Sequence, residues 1–195
     1  MKKLFIYFLS FACLFCISCL SKKPQGFTYQ YTGNYTGLDT LINIDGYYKV
    51  PYNSCIDDKS HIYLMLYPDG LLNTVAYTAS DETELIDCFK YGGKNCAFVQ
   101  WGTYWIRDDT LKIQKIMNTG LVAQGNVTYF YNFQILPTKE LLYISKHCIT
   151  KEIPECNQDP VNPCPKVADF FPLEKKRETT DCPHLKKGWF KAKKE

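Results

Sequence analysis

The chain has 195 residues, with 23 Lys and Arg against 20 Asp and Glu, so the formal net charge is only +3. This length fits one domain with a tail, because a second domain would add roughly 100 residues. The near balance of charge argues against a nucleic-acid binder built on a basic face, and the hydrophobic content of 46% excludes wholesale disorder. The 10 cysteines predict disulfides if the protein is exported and metal or redox chemistry if it is cytosolic.

The N-terminus predicts export. Two lysines precede an apolar stretch from Leu4 to Ile17, which is too short for a membrane span and has the length of a signal-peptide hydrophobic region. The order of apolar run, small residue and cysteine at Ser18-Cys19 resembles the lipobox of bacterial lipoproteins. That resemblance implies a signal peptide over 1–18, a lipidated Cys19 and a polar tether over 19–26.

Two alternatives stay open at this terminus. Cys13 is a second candidate for the lipidated cysteine, and Cys16 stands where a lipobox usually has leucine. An ordinary secretory signal cut near Ser18 or Ser21 would leave no lipid. The C-x-x-C spacing of Cys13, Cys16 and Cys19 predicts no metal or redox site, because the first two lie in an apolar segment that a peptidase removes.

Lipid on Cys19 would place the protein in the bacterial cell envelope, at the outer membrane or facing the periplasm. Each buried CH2 of an acyl chain such as palmitate contributes ~0.8 kcal/mol, so the body needs no amphipathic helix to stay at the membrane. We expect the membrane to be its partner through this anchor, and we expect no cofactor and no nucleic acid.

The body is rich in Tyr, Phe, Thr, Ile and Val with polar turns at short intervals, which predicts strands. The strongest hairpin signal is Pro68-Asp69-Gly70 between strands over 61–67 and 71–78, because proline presets φ and glycine permits a positive φ. Further strands are predicted at 41–44, 47–50, 96–107, 110–117, 126–136 and 140–148. The only predicted helix covers residues 81–89.

Details of two strands can also be predicted. Gly102 interrupts the strand over 96–107 and predicts a bulge or bend. In the strand over 110–117, Leu111, Ile113 and Ile116 are apolar, and we expect the lysines mostly to face water.

Strands joined mainly by short hairpins predict an all-β fold, an antiparallel meander over 27–149 that closes into a small barrel. An open sandwich is the alternative. A barrel of about eight strands can be filled with side chains or can hold one small ligand, and the aromatic residues of the predicted strands favour the filled interior.

A family resemblance rests on four stretches of the body. They are Ile44-Asp45-Gly46-Tyr47-Tyr48, Leu64 to Gly70, Trp101-Gly102-Thr103-Tyr104-Trp105-Ile106 and Asp109-Thr110-Leu111-Lys112-Ile113-Gln114. Over residues 40–147 the pattern is similar to uncharacterised small bacterial lipoproteins with a lipocalin-like (calycin-like) β-barrel. The resemblance implies the fold and transfers no catalytic residue. The extra cysteines and the proline-rich segment depart from that family's plainer pattern.

Residues 150–195 are predicted to form an irregular tail that is rich in Pro and Cys and is stapled by disulfides. Its lysine-rich end from Lys186 to Glu195 predicts a solvated or frayed terminus, in which Trp189-Phe190 is the part able to pack onto the body.

The body contains an odd number of cysteines: Cys55, Cys88, Cys96, Cys148, Cys156, Cys164 and Cys182. The pairs favoured by short separation are Cys88–Cys96 and Cys148–Cys156, which leaves Cys164–Cys182 to staple the tail and Cys55 as the candidate free thiol. Each bridge would contribute ~2–4 kcal/mol. An unlipidated Cys19 would make the set even, which supports the ordinary secretory alternative.

The sequence predicts no catalytic residue, since it has no G-x-S-x-G motif, phosphate loop or dinucleotide fingerprint. A zinc site built from Cys164, Cys182 and His184 lacks the paired cysteine knuckles of structural zinc. We therefore expect a non-enzymatic binding or structural module of an envelope lipoprotein, with a small apolar ligand or an envelope protein as its partner. The alternative is a secreted, disulfide-stapled barrel that acts as an inhibitor or protein-binding factor.

Overall fold

The structure is a computed structural model, and it describes residues 23–51, 60–78, 82–93, 96, 98–118, 126–148 and 164–193. Most of this part of the chain forms one antiparallel sheet of eight strands, with few helices. The predicted all-β class and the curled antiparallel meander are confirmed. The predicted signal peptide, Cys19, Cys55 and Cys156 lie outside the described residues.

The strands are β1 Gly46–Pro51, β2 Ser60–Leu66, β3 Leu71–Thr78, β4 Gln100–Arg107, β5 Thr110–Asn118, β6 Asn126–Ile135, β7 Leu141–Cys148 and β8 Asp169–Pro172. The α-helices of the described residues are α1 Leu38–Leu41 and α2 Glu82–Tyr91. Across the sheet the order is β7-β6-β5-β4-β3-β2-β1-β8, so the first seven strands form a meander and the eighth returns to pair with the first.

The hairpin predicted at Pro68-Asp69-Gly70 is present between β2 and β3. Gly70 has a φ of 91°, a conformation that an L side chain rarely adopts. The Oδ1 atom of Asp69 accepts a hydrogen bond of 3.2 Å from the backbone N–H of Leu71. The turn residues therefore act as their sequence predicts.

Each face of the sheet carries its own hydrophobic core. The core of the inner face draws side chains from every strand of the meander and from Ala168, so the first and last strands meet around it and the sheet is curled. Large side chains such as Tyr104 and Phe133 are fully buried there. The core of the outer face lies on β1 to β5 beneath α2 and the two ends of the described chain.

A single segment, residues 166–172, bonds to both edges of the curled sheet. At the β7 edge the carbonyl of Lys166 accepts from the N–H of Tyr143 at 3.2 Å, and the N–H of Ala168 donates to the carbonyl of Leu141 at 2.8 Å. The segment then continues as β8, which pairs antiparallel with β1. The region predicted as an irregular tail therefore also supplies a strand that links the two edges.

The predicted strand over 41–44 is wrong. The one-turn helix α1 ends at Leu41, residues 42–44 lie in no strand, and Leu38 and Ile42, four residues apart, enter the inner core. A short apolar run does not distinguish a strand from a buried helical turn by its periodicity. The next predicted strand, 47–50, lies in β1.

Of the bulge or bend predicted at Gly102, the bulge is not present, since the ladders of β4 with β3 and β5 run through this residue in register. The glycine is required by close approach, because a Cβ at this position would lie 2.3 Å from the carbonyl oxygen of Gln114. A register shift occurs instead between Asn132 and Phe133, where β6 pairs with β7.

Helix α2 confirms the predicted helix, and it buries Leu85, Cys88 and Phe89 against the outer face. The Cys88–Cys96 disulfide is also confirmed, with a Cα–Cα distance of 5.5 Å. In the part of the chain that is described, none of the helices combines the length and the apolar character needed to cross a membrane.

Trp189 and Phe190 pack onto the body, as predicted, and Lys186, Lys191 and Lys193 are exposed, whereas the predicted fraying is wrong for residues up to 193. Phe190 is 0% exposed, and its ring centroid lies 5.6 Å from that of Phe27. The N–H of Tyr31 donates to the carbonyl of Phe190 at 2.8 Å. The aromatic residues at the two ends of the described chain bury one another. The free energy gained by this burial exceeds the tendency of the neighbouring lysines to keep the segment in water.

Candidate functional site

The two ends of the inner face differ in chemistry. At the closed end, tight turns join β2 to β3, β4 to β5 and β6 to β7, and α1 contributes to the core. At the other end the strands lead into residues 52–59, 79–81, 119–125 and 149–163, which lie outside the described residues. We call this second region the polar end and define it by Thr74, Gln100, Lys115, Tyr129, Tyr131 and Lys146.

Buried polar groups of the closed end have partners. The hydroxyl of Tyr104 donates to the carbonyl of Tyr67 and lies 2.9 Å from the Oγ1 atom of Thr36. Thr36 in turn donates to the carbonyl of Pro68 at 3.1 Å. Burial raises the pKa of Tyr104, so its hydroxyl stays protonated and able to donate.

A lysine ammonium at the closed end also has hydrogen-bond acceptors. The Nζ atom of Lys176 donates to the carbonyls of Ile44 at 2.8 Å and Leu66 at 2.9 Å. It also lies 4.9 Å from the ring centroid of Tyr67. Burial lowers the pKa of Lys176, and the nearby carboxylates of Asp45 and Asp69 act against that shift.

The strand register places the residues of the polar end on the inner face. The opposed pairs are Thr74 with Gln100, Gly102 with Lys115, Lys115 with Tyr129, and Tyr131 with Lys146. Directly opposed residues share a face of a sheet, and so do residues two apart on one strand. Leu72 and Ile113, which stand two residues before Thr74 and Lys115, belong to the inner core.

Lys115 is the one fully buried charged residue among those described, with 2% of its surface exposed. Its Nζ atom lies 5.2 Å from the ring centroid of Tyr131 and 5.9 Å from that of Tyr129. No carboxylate of the described residues forms an ion pair with it. Burial, with the positive charge of Lys146 as a smaller cause, lowers the pKa of Lys115 to about 7.

The aromatic contacts do not balance the burial of this ammonium group. A cation over an aromatic ring gains about 0.5–2 kcal/mol. Removing an ammonium group from water costs several kcal/mol even after the protein relaxes. Lys146 adds a like charge, since its Nζ atom lies 5.0 Å from the ring centroid of the same Tyr129. The arrangement therefore favours either a neutral Lys115 or an anion beside it.

Two neutral groups at the polar end are also unsatisfied. The Oε1 atom of Gln100 and the Oγ1 atom of Thr74 are buried without a hydrogen-bond partner in the described structure. Each such atom costs ~1–3 kcal/mol. Unpaired atoms also occur on the outer face, for example Nε1 of Trp101, but only at the polar end do they accompany a fully buried charge among the described residues.

The cysteines predicted to staple the tail are arranged differently. Cys148 and Cys164 are both in disulfides, whereas Cys182 is a free, buried thiol whose pKa is raised to about 11 by burial. The predicted Cys164–Cys182 bridge is therefore wrong. Cys182 packs in the outer core, and Cys164 precedes the segment that bonds to β7.

The remaining cysteine predictions fall on Cys19, Cys55 and Cys156, which lie outside the described residues, so the Cys148–Cys156 pairing stays a prediction. Because Cys164 is oxidised, it cannot act as a thiolate ligand in the zinc site considered with Cys182 and His184. Within the described part of the chain, no group of three or more His, Cys, Asp or Glu side chains converges.

Lys115 is an exception to the expectation that the lysines of its strand mostly face water. Leu111, Ile113 and Lys115 stand two residues apart, so strict alternation places Lys115 on the same buried face as the two apolar residues. That alternation is the signal from which the site could have been found. No comparable signal marks Gln100 or Thr74, whose burial depends on neighbouring strands.

Comparisons of the chain with protein-family models, with curated proteins and with solved structures find no match. The resemblance to small bacterial lipoproteins therefore stays a prediction.

Proposed function

We propose that this protein is an envelope lipoprotein, held at a membrane by lipid on Cys19, whose β-domain is a non-enzymatic binding module. The order of basic start, apolar run and Ser18-Cys19 supports the anchor. The binding role rests on one observation, the buried ammonium of Lys115, with which no described carboxylate forms an ion pair, together with the unpartnered Oε1 of Gln100 and Oγ1 of Thr74 at the polar end.

The contrast between the two ends of the sheet supports binding over a purely structural role. At the closed end the hydroxyl of Tyr104 and the ammonium of Lys176 find acceptors. Apolar residues at the polar end would make the domain more stable, because buried polar groups without partners are destabilising. A ligand that supplies the missing partners accounts for their presence.

The place of the ligand follows from the inner core. Side chains fill the inner face between the two ends. The ligand would therefore bind at the polar end, where the strands end, and not along the axis of the sheet. This differs from the small apolar ligand expected from a hollow interior.

The anchor is tested by the intact mass of the protein expressed in a bacterial host and extracted from its membranes. We expect an N-terminus at Cys19 that carries a diacylglyceryl group. A Cys19→Ala variant should lose the lipid mass, whereas the matched Cys13→Ala variant should keep it. An unmodified N-terminus beyond residue 19 would overturn the anchor.

The binding role is tested by thermal shift of the mature protein against anionic, neutral polar and apolar small molecules. A ligand that binds only the folded state raises the midpoint by mass action. We expect at least one class to raise it, and we expect Lys115→Met to abolish that rise. If no class shifts the midpoint, the domain is not a small-molecule binding module.

A further inference from the structure

We infer that the polar end binds a small hydroxylated carboxylate, an organic acid whose anionic group pairs with Lys115 and whose hydroxyl donates to Gln100. This inference rests on the proposed binding function and names its ligand class.

The charge of the ligand follows from the two lysines of the polar end. The Nζ atoms of Lys115 and Lys146 lie 5.9 Å and 5.0 Å from the ring centroid of Tyr129. A carboxylate beside that ring would accept charge-assisted hydrogen bonds, which are about twice as strong as neutral ones. A single negative charge balances the one fully buried cation among the described residues, while Lys146 is partly exposed.

The hydroxyl of the ligand follows from the side chain of Gln100. Its buried Oε1 atom is unpaired, and an amide oxygen can only accept a hydrogen bond. Gln100 stands two residues before Gly102, which lies opposite Lys115. Such diagonal positions are about 7–8 Å apart, within reach of long side chains, so one small molecule can contact both.

Thr74 completes the polar surface of the site. It lies opposite Gln100 in the β3–β4 ladder, and its unpaired hydroxyl can donate or accept. A molecule with several hydroxyl groups can therefore satisfy Thr74 and Gln100 together. A purely apolar acid would leave both unsatisfied, at ~1–3 kcal/mol for each atom.

Binding of an anion should be linked to protonation. The titratable groups that face Lys115 are Lys146 from β7 and the hydroxyls of Tyr129 and Tyr131 from β6. From β3 and β4 the site receives Thr74 and Gln100, which do not titrate. Burial lowers the pKa of Lys115 to about 7 in the free protein. Above that pH, Lys115 must therefore take up a proton when the anion binds.

The test is isothermal titration calorimetry, which measures the dissociation constants of three probes of similar size for the mature protein. D-glucuronate carries both the carboxylate and hydroxyls, cyclohexanecarboxylate carries only the carboxylate, and D-glucose carries only hydroxyls. We expect D-glucuronate to bind, with cyclohexanecarboxylate about 30-fold weaker or more because Gln100 and Thr74 both stay unpaired. D-glucose should be about 30-fold weaker or worse, because it lacks the charge.

Variants assign the effect to the polar end. Lys115→Met should weaken D-glucuronate about 30-fold or more, whereas Lys112→Met on the same strand should leave it unchanged. Lys112 is the matched control because it lies opposite Trp105, three residues from Lys115 and on the other face. Gln100→Glu places a carboxylate diagonal to Lys115, so it should also abolish D-glucuronate binding.

The pH arm uses the same titration at pH 6.5 and pH 8.5. With a pKa of about 7 for the free Lys115, the dissociation constant of D-glucuronate should rise roughly 20-fold over this interval. The Lys112→Met variant should show the same rise. An affinity that does not change with pH would overturn the assignment of the anion to Lys115.

Other outcomes overturn the ligand class. If cyclohexanecarboxylate binds as tightly as D-glucuronate, the site does not require a ligand hydroxyl. If D-glucose binds as tightly, the site does not require an anion. If inorganic phosphate binds more tightly, the preferred anion is not a carboxylate. If none of these probes binds while another class raises the midpoint in the thermal screen, the inference fails and the proposed binding function stands. If no class of compound binds at all, both fail.

Discussion

Two lysines of this domain are withdrawn from water at opposite ends of the sheet. At the closed end Lys176 donates to the carbonyls of Ile44 and Leu66. At the polar end Lys115 is the more deeply buried, and its described surroundings are two tyrosine rings and a second lysine. The pKa of each is lowered by burial. The difference lies in the acceptors, which the fold supplies to Lys176 and which a ligand would supply to Lys115.

The largest expected effect on stability is at the closed end, where Tyr104→Ala removes a fully buried ring from the inner core. We expect the free energy of unfolding to fall by ~3–5 kcal/mol, because such a truncation loses burial and leaves a cavity. Chemical denaturation measures this fall. The control Tyr104→Phe keeps the ring and should lose only ~1–2 kcal/mol, the contribution of the hydroxyl's bonds. Equal losses for the two variants would contradict a packed closed end.

Lys176→Met should also destabilise the closed end. The carbonyls of Ile44 and Leu66 lose a charged donor, and hydrogen bonds to charged groups contribute ~1.5–3 kcal/mol. We expect a loss of this size in urea denaturation at pH 7. The neighbouring Lys175→Met, with an exposed side chain, is the control and should change stability by less than about 0.5 kcal/mol. A loss no larger than the control's would break the comparison with Lys115.

In contrast to Lys176→Met, Lys115→Met should raise the free energy of unfolding, by about 2 kcal/mol below pH 7. The reason is that it removes a buried cation without an anionic partner in the described structure. The folded-state pKa of Lys115 is about 7, below its ordinary value of about 10.4 in the unfolded chain. The unfolded state therefore binds more protons between these values, and the stability of the unmodified protein should rise with pH across this window.

The measurement for Lys115 is the difference in unfolding free energy between this variant and the unmodified protein at pH 6.5 and pH 9. We expect the advantage of the variant to shrink at the higher pH, while Lys112→Met shows no such change. A destabilised Lys115→Met at pH 6.5 would mean that the ammonium already has a partner.

The smallest expected effect comes from two matched threonines. Thr36→Val at the closed end removes a hydroxyl that bonds to Pro68 and lies near Tyr104, so it should cost ~1 kcal/mol. Thr74→Val at the polar end removes an unpaired buried hydroxyl, so it should be neutral or stabilising by up to about 1 kcal/mol. Thermal unfolding of the two variants in one buffer measures this difference. Equal destabilisation by Thr36→Val and Thr74→Val would contradict the contrast between the two ends.

Much of the fold could be predicted because its signals are local. Pro68-Asp69-Gly70 contains its own turn chemistry, and the acidic start and apolar spacing of residues 81–89 are enough for a helix. The strand β8 has no such signal, since its four residues depend on the exposed edge of β1 for their hydrogen bonds. Helix α1 was missed because a single buried turn has no periodicity of its own.

The polar end was only partly predictable. The alternation of Leu111, Ile113 and Lys115 marks a shared face, but a lysine at a strand position is normally exposed, and nothing in its own strand shows that β6 and β7 cover it. The predicted free thiol at Cys55 lies outside the described residues. The observed one, Cys182, depends on packing between distant elements in the outer core.

The all-β class, the order of the hairpins and the Cys88–Cys96 bridge were predictable from the sequence alone and are confirmed, whereas the export signal with its candidate anchor at Cys19 stays a prediction. Each of these depends on residues close together in the chain, where chemistry and spacing suffice. The tertiary structure alone decided that residues 166–172 bond to both edges of the sheet, that Lys115 is buried, and that Gln100 and Thr74 on neighbouring strands of the same face have buried atoms without partners. The reason is physical: burial and hydrogen bonding across strands depend on which distant segments the curled sheet brings together.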